Sequence, residues 1–374
     1  MKPVPFSTIA YEYELIADEL QEKLTGLAEA GAFVLSDELN TMERELAEYC
    51  AAYQPKEAVG VGSGTDALLL ALMAAGIGKG DEVITVGNIC VAVMEAIVRA
   101  GAVPVFVDIC PRTFQIDCEQ LKTAISPATR AVLVVHPYGV PAQLDVIGQI
   151  TSAHGVLLIE ACGQAFGARY EGIPVGSFGT ISCFSFNPEK IIGGIGDGGA
   201  VVTSNPEIAD RLRRLRDHGR EGIGLEASMV GFSSRLDAIN AIAVRLKLRH
   251  IDRIVEMRHE KGRLFREILS DTSLTLQEVP DNRTPSFQMF VALAPGNRFE
   301  LHEKLQEQGI HTAFHYRMPP YKMSAFAACE MRMHGQLVVT EEVLSRIISL
   351  PFFTTMTEFD MERVRAAVKA AAKV

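Results

Sequence analysis

The stretch FSFNPEKIIGGIGDGG, residues 184–199, decides how the rest of the chain is read. It places Lys190 between a β-rich run ending at Phe186 and five glycines within the seven residues Gly193 to Gly199. A lysine at such a junction, inside an apolar stretch, sits where desolvation disfavours the ammonium and leaves a nucleophilic amine. That is the requirement of a lysine that forms a Schiff base. For a lone lysine a solvated turn is the commoner assignment, so the reading rests on the surrounding chain.

Around this stretch, short β-branched runs alternate with longer helical patterns, the sign of a mostly parallel sheet sandwiched by crossover helices. Strands are predicted at Glu82 to Val86, Val103 to Asp108, Ala131 to Val135, Val156 to Glu160, Thr180 to Phe186 and Ala200 to Thr203. Helices are predicted at Thr65 to Ala75, Val91 to Ala100, Leu144 to His154 and Pro206 to Asp217. A long helical stretch from about Leu236 to Leu269 leads away from this core. Beyond it the pattern changes to strands near Phe287 to Ala292 and His311 to Phe314, with helices near Arg298 to Gln308, Glu341 to Ile348 and Phe359 to Ala372. The implied organisation is a large α/β domain over residues 1–249 and a smaller α+β domain over residues 250–374.

Composition narrows the function classes. With 374 residues, 48% hydrophobic and 22% charged, the chain can bury one large core and a second smaller one. A net charge of -10 without a basic cluster argues against nucleic acid as a partner. The seven cysteines form no CxxC pair and no zinc-like spacing with histidine, which points away from a disulfide framework or metal site and towards a reducing compartment. The acidic N-terminus does not read as a signal peptide, and no apolar run approaches the ~20 residues of a membrane span. A soluble, cytoplasmic protein is expected.

Three further elements carry chemistry. Gly60-Val61-Gly62-Ser63-Gly64-Thr65 opens the apolar helix Ala67 to Ala75, so free N–H groups, close backbone approach and two hydroxyls coincide at a site suited to phosphate. Glycine loops before helices also serve simply as caps, and this spacing matches neither the P-loop nor the full dinucleotide pattern. The strand Val156 to Glu160 runs into Ala161-Cys162-Gly163-Gln164; ligands of open α/β sheets bind beyond the carboxyl ends of strands, where Gln164 lies. Finally, Ser233 or Ser234 in Gly231-Phe232-Ser233-Ser234-Arg235-Leu236-Asp237 can cap the long helix.

Taken in order, these elements resemble the DegT/DnrJ/EryC1/StrS family of fold-type I, pyridoxal-phosphate-dependent sugar aminotransferases. The resemblance covers nearly the whole chain: Gly31 to Glu43, Ser63 to Leu68, Gly78 to Ile84, Pro104 to Asp108, His136-Pro137-Tyr138-Gly139, Phe184 to Lys190 with Gly196 to Ala200, Ser234 to Asp237, His315-Tyr316 and Leu350-Pro351. It implies that Lys190 carries pyridoxal 5'-phosphate (PLP) as a Schiff base and moves a proton. It further implies that Gly64, Thr65 and Ser185 hold the phosphate, and that Gln164 lies against the pyridine ring. A homodimer is implied too, because in the family the segment around Ser233 reaches the cofactor of the partner subunit. The implied substrate is a keto sugar, usually nucleotide-linked, with glutamate or glutamine as amino donor, in amino-sugar or antibiotic biosynthesis. His315, Tyr316 and Arg317 would lie on the sugar or donor side.

The departures from the family pattern are specific. Ala161 stands where the family has an Asp that contacts the pyridine nitrogen, Cys90 where an aromatic stacks on the ring, Ser233 where an Asn touches the phosphate, and Phe166 where a His follows the Gln. Without the Asp the ring is a poorer electron sink. Strand alternation puts Glu160 on the opposite face from Ala161, which makes it a doubtful substitute. Two readings stay open: a working aminotransferase with retuned cofactor chemistry, or a repurposed homologue that serves as a binding or partner protein or runs another reaction.

Overall fold

The computed structural model describes residues 2–222 and 226–371. Its centre is an eight-stranded sheet built from β1 (Glu57–Val61), β2 (Glu82–Val86), β3 (Val103–Val107), β4 (Thr129–Val135) and β5 (Leu157–Ala161). A small three-stranded sheet follows with β6 (Arg169–Tyr170) and β7 (Ile173–Pro174), completed later by β11 (Arg283–Thr284). The central sheet resumes with β8 (Ile181–Ser185) and β9 (Gly199–Thr203). Strands β10 (Thr275–Leu276), β12 (Phe290–Leu293) and β14 (Ile347–Leu350) form a third sheet, and β13 (Arg332–Met333) returns to the first.

The central order is β1-β9-β8-β5-β4-β2-β3-β13. From β8 to β13 every pairing is parallel, while β9 runs antiparallel to both its neighbours. Strands such as Ala131 to Val135 and Ala200 to Val202 are buried throughout, because helices cover both faces of the sheet. That is why they read as unbroken apolar runs rather than alternating ones. The architecture is the α/β fold expected from the sequence. Among the described residues no helix is long and apolar enough to cross a membrane.

A second core lies around β10, β12 and β14 and is rich in aromatics: Phe265, Phe287, Phe290 and Phe352 pack with ring centroids 4.6 to 6.5 Å apart. Two stretches cross the division expected at residue 250. Val4, 1% exposed, pairs with Ile310 and joins the second core. In the other direction, β13 pairs with β3, and Arg332 grips Glu82 with two hydrogen bonds of 2.9 Å. The Asp108 carboxylate, just past β3, accepts from the amides of Val339 and Thr340 and so anchors the helix Val338–Arg346.

Local differences from the sequence reading have physical causes. The stretch from Leu236 to Leu269 is two helices, Ala238–Leu248 and Ile251–Leu269, rather than one. The break lets the second helix bury Ile251 and Ile254 in the first core and Phe265 and Leu269 in the second. The first of these helices, Ala238–Leu248, is capped by neither Ser233 nor Ser234 but by Asp237, whose carboxylate accepts from the Asn240 amide at 2.8 Å. His311 to Phe314 forms no strand; only Ala313 pairs, through an isolated bridge to Ser349.

Candidate active site

The carboxyl ends of β4, β5 and β8 open on a cavity of about 260 Å³. One end is the start of the helix Gly64–Ala74. Ser63 caps it, its hydroxyl accepting from the Asp66 amide at 3.0 Å and its carbonyl from Ala67 at 2.9 Å. Helix geometry then leaves the Gly64 and Thr65 amides without an intrahelical acceptor, and the positive end of the helix faces the cavity. A Cβ on Gly64 would come within 2.6 Å of Ser185 Cβ, so only glycine lets this turn close on Ser185. The result is a cradle of two amides and a hydroxyl, suited to a phosphate.

Lys190 lines the same cavity. It is half-buried, yet enough protein surrounds its amine for desolvation to push the pKa below the usual lysine value, with Cys90 and Glu189 acting in the opposite direction. Its amine makes no hydrogen bond to the described residues. Cys90, immediately before the helix Val91–Arg99, also lines the cavity; burial raises its thiol pKa while the Lys190 charge opposes that shift. The thiol therefore faces Lys190 as a neutral, polarisable group.

Gln164 is fixed at both ends of its amide. Its Oε1 accepts from the Tyr138 amide at 3.0 Å, and its Nε2 donates to the Tyr316 hydroxyl at 2.6 Å. The Tyr138 amide is turned this way by left-handed backbone, φ 62° at Tyr138 and 97° at Gly139. Burial, with Cys90 and Tyr138 adding to it, holds Tyr316 far above the usual tyrosine pKa, so it stays a neutral phenol.

The cavity floor at Ala161 is apolar. Ala161 pairs with Val135 on β4 and Cys183 on β8, and all three line the cavity. Glu160 points the other way, as alternation requires. Its carboxylate accepts from the amides of Gly176, Phe178 and Gly179 at 2.5 to 2.9 Å and lies 3.3 Å from His136 Nε2. Burial alone would raise its pKa, but the His136 and amide contacts outweigh that and lower it. Glu160 thus cannot serve the cavity. His136, Glu160 and Cys162 bring one ligand atom each within 4.8 Å of one another. Amides already fill the carboxylate, and the Ala142 amide donates to His136 Nδ1, so this cluster is a structural polar contact rather than a metal site.

Of the residues singled out in the sequence, Gly64, Thr65, Cys90, Ala161, Gln164, Ser185, Lys190 and Tyr316 line this one cavity. Ser233, His315 and Arg317 do not. Ser233 is exposed and accepts from Arg235 at 2.9 Å, and Arg317 is exposed with its guanidinium 5.4 Å from the Phe314 ring. Asn187 and Asp197 were not anticipated; they line the cavity and are joined by a 3.0 Å hydrogen bond. Their place inside the quoted motif was the available signal.

Comparison with known proteins fits this geometry. The model of the DegT/DnrJ/EryC1/StrS aminotransferase family matches residues 14–369. The chain belongs to that family. Members of the DegT/DnrJ/EryC1/StrS family are PLP-dependent, and the cradle, the desolvated lysine and Gln164 fit that cofactor, while the floor at Ala161 is apolar. A "pleiotropic regulatory protein" of Geobacillus stearothermophilus is 37% identical over 365 residues, covering 96% of each chain. The UDP-N-acetyl-3-dehydro-alpha-D-glucosamine 3-aminotransferase of Acidithiobacillus ferrooxidans is 34% identical, covering 98% of this chain and 97% of its own. The structure of S. venezuelae DesV, solved with a ketimine intermediate, superposes with a TM-score of 0.93 at 35% identity and full coverage of both chains.

His315 adds a pH-dependent term beside the site. It stacks on Phe6 with ring centroids 5.8 Å apart, and its Nδ1 lies 2.8 Å from the Ser349 hydroxyl. Burial, then the Lys190 charge, pushes its pKa down from 6.5 to about 4. Between those values the unfolded chain binds more protons than the folded one, so this histidine makes stability rise with pH over that window. His315→Gln is expected to flatten the stability curve there. Melting temperatures recorded between pH 4 and 7 check it, and an unchanged slope would remove His315 from the account.

Proposed function

We propose that this protein is a PLP-dependent aminotransferase that places an amino group on the carbonyl carbon of a nucleotide-linked keto sugar, with glutamate or glutamine as donor. The observation that carries the reading is the desolvated Lys190 amine, aimed into a cavity whose far end is a phosphate cradle. Relatives of this chain act on UDP- and dTDP-linked sugars. When bound, PLP supplies the carbonyl that takes up the donor's amino group and the ring that accepts electron density.

The chain's own residues do the rest. Gly64 and Thr65 amides with the Ser185 hydroxyl would hold the phosphate, and Gln164, locked by Tyr138 and Tyr316, would bear on the ring. Lys190 would hold the cofactor covalently and would take and return a proton at the reacting carbon; its lowered pKa keeps a fraction of the amine unprotonated for this. Tyr316, with His315 and Arg317 beside it, faces the sugar or the donor.

The working form in this reading is a homodimer, because Ser233 is exposed on its own subunit and reaches a cofactor only across a two-fold interface. Sedimentation is expected to give a dimer at working concentration, and a monomer that transaminates would end the shared-site model. The functional test is a visible absorption band on adding PLP, its loss with borohydride, and amino transfer from glutamate or glutamine to UDP- or dTDP-linked keto sugars. No band and no transfer would leave the repurposed-homologue reading.

A further inference from the structure

The glycine run behind Lys190 is gripped by side chains that touch no part of the cavity. Gly193 N–H donates to the Lys190 carbonyl at 2.8 Å, and Gly194 N–H to the Phe186 carbonyl at 2.7 Å, which makes a tight turn directly after the lysine. The carbonyls of the same two glycines are both taken from outside. Lys247 Nζ, on the helix Ala238–Leu248, donates to Gly193 at 2.7 Å. The Tyr13 hydroxyl, on the helix Ala10–Glu14, donates to Gly194. The Lys247 ammonium also lies 3.4 Å from the centroid of the Tyr13 ring, so the two form one unit.

The turn needs such an external hold. A Cβ on Gly193 would meet the Pro188 carbonyl at 2.4 Å, and one on Gly194 would meet Asn240 Oδ1 at 2.5 Å, so neither position accepts a side chain that would stiffen the backbone. Glycine leaves the backbone its widest choice of conformations. Lys247 is an unusual choice for a merely structural role. It is 1% exposed, pairs with no carboxylate among the described residues, and is desolvated enough that its pKa falls to about 8 despite the Glu12 carboxylate. An apolar side chain of similar volume would fill that space without the desolvation cost of a cation.

We propose that Lys247 and Tyr13 are positioning residues for Lys190: together they fix the turn from which the lysine reaches the cavity. The proposal rests on the reading of Lys190 as the cofactor lysine. Reaction at that amine demands a near-attack geometry, and a misplacement of ~1 Å can cost ~10²-fold in rate. A side chain on a loosened glycine turn loses that geometry without losing any contact to substrate.

The test uses the full chain as wild type, Lys247→Met and Tyr13→Phe. The first readout is the rate at which added PLP becomes bonded to Lys190, followed by growth of the visible band. The second is kcat and KM for a keto-sugar substrate. Each variant is expected to attach cofactor about tenfold more slowly and to lose about tenfold in kcat, with KM changed by less than about twofold. Tyr13→Phe should keep the wild-type melting temperature, which separates positioning from folding. If Lys247→Met does not fold, Tyr13→Phe decides alone. Attachment and kcat at wild-type values in the folded variants would overturn the proposal, as would losses that merely track a lower folded fraction. A wild type that forms no band overturns the functional reading and this proposal with it, whereas a normal wild type with unchanged variants overturns this proposal alone.

Discussion

Lys190→Ala is expected to give a well-folded protein that binds PLP without bonding to it and transaminates about 10⁴-fold more slowly. The size of the loss follows from the two tasks proposed for this amine, covalent capture of the cofactor and proton movement at the reacting carbon; the cradle at Gly64, Thr65 and Ser185 remains intact. Stability should hold or rise. The amine makes no hydrogen bond to the described residues and burial disfavours its charged form, so removing it relieves a desolvation cost rather than breaking a contact. Borohydride treatment followed by peptide mapping checks the assignment: the wild type should carry the reduced adduct on Lys190 and the variant none. An adduct on another lysine, or a variant keeping about a tenth of the activity, would defeat it.

Much of the site was legible because its residues are contiguous in sequence. Lys190, Ser185 and the glycines fall within sixteen residues, and Gly64 and Thr65 stand at the helix start they serve. The buried parallel strands were legible for the same reason, since a strand covered on both faces must be apolar at every position. Contacts made across the fold left no local trace. Tyr13 meets Gly194 across 181 positions, and nothing in the sequence around Lys247 pairs it with the glycine turn. The break after Leu248 has no proline or glycine to mark it; it arises because one helical stretch serves two cores. Asp237 took the capping role from Ser233 and Ser234 because the serines lie in an extended segment, where Ser234 instead donates to Asp66 at 2.6 Å and accepts from the Gly62 amide at 3.0 Å.

Ala161→Asp is expected to accelerate amino transfer by about tenfold, equivalent to ~1.4 kcal/mol off the barrier. Ala161 sits at the end of β5 on the cavity floor, between Val135 and Cys183. An acid there would lie beside the ring nitrogen, favour its protonated form and strengthen the ring as an electron sink. At ~4 Å and an effective dielectric of ~20 the attraction is ~4 kcal/mol, against several kcal/mol to desolvate the new carboxylate. The net gain is therefore modest, and it appears only when a ring is present to pair with it. Without PLP the Asp variant should be less stable than the wild type, and with PLP the difference should narrow. Ala161→Asn separates charge from shape: it fills similar space and should not accelerate. The measurement is the half-reaction with glutamate, followed by decay of the visible band, in wild type and both variants. A band in all three with a faster decay in the Asp variant alone identifies a working aminotransferase with a weakened electron sink. Equal rates in the Asp and Asn variants would refute the charge argument, and no band in any of them would refute the aminotransferase reading.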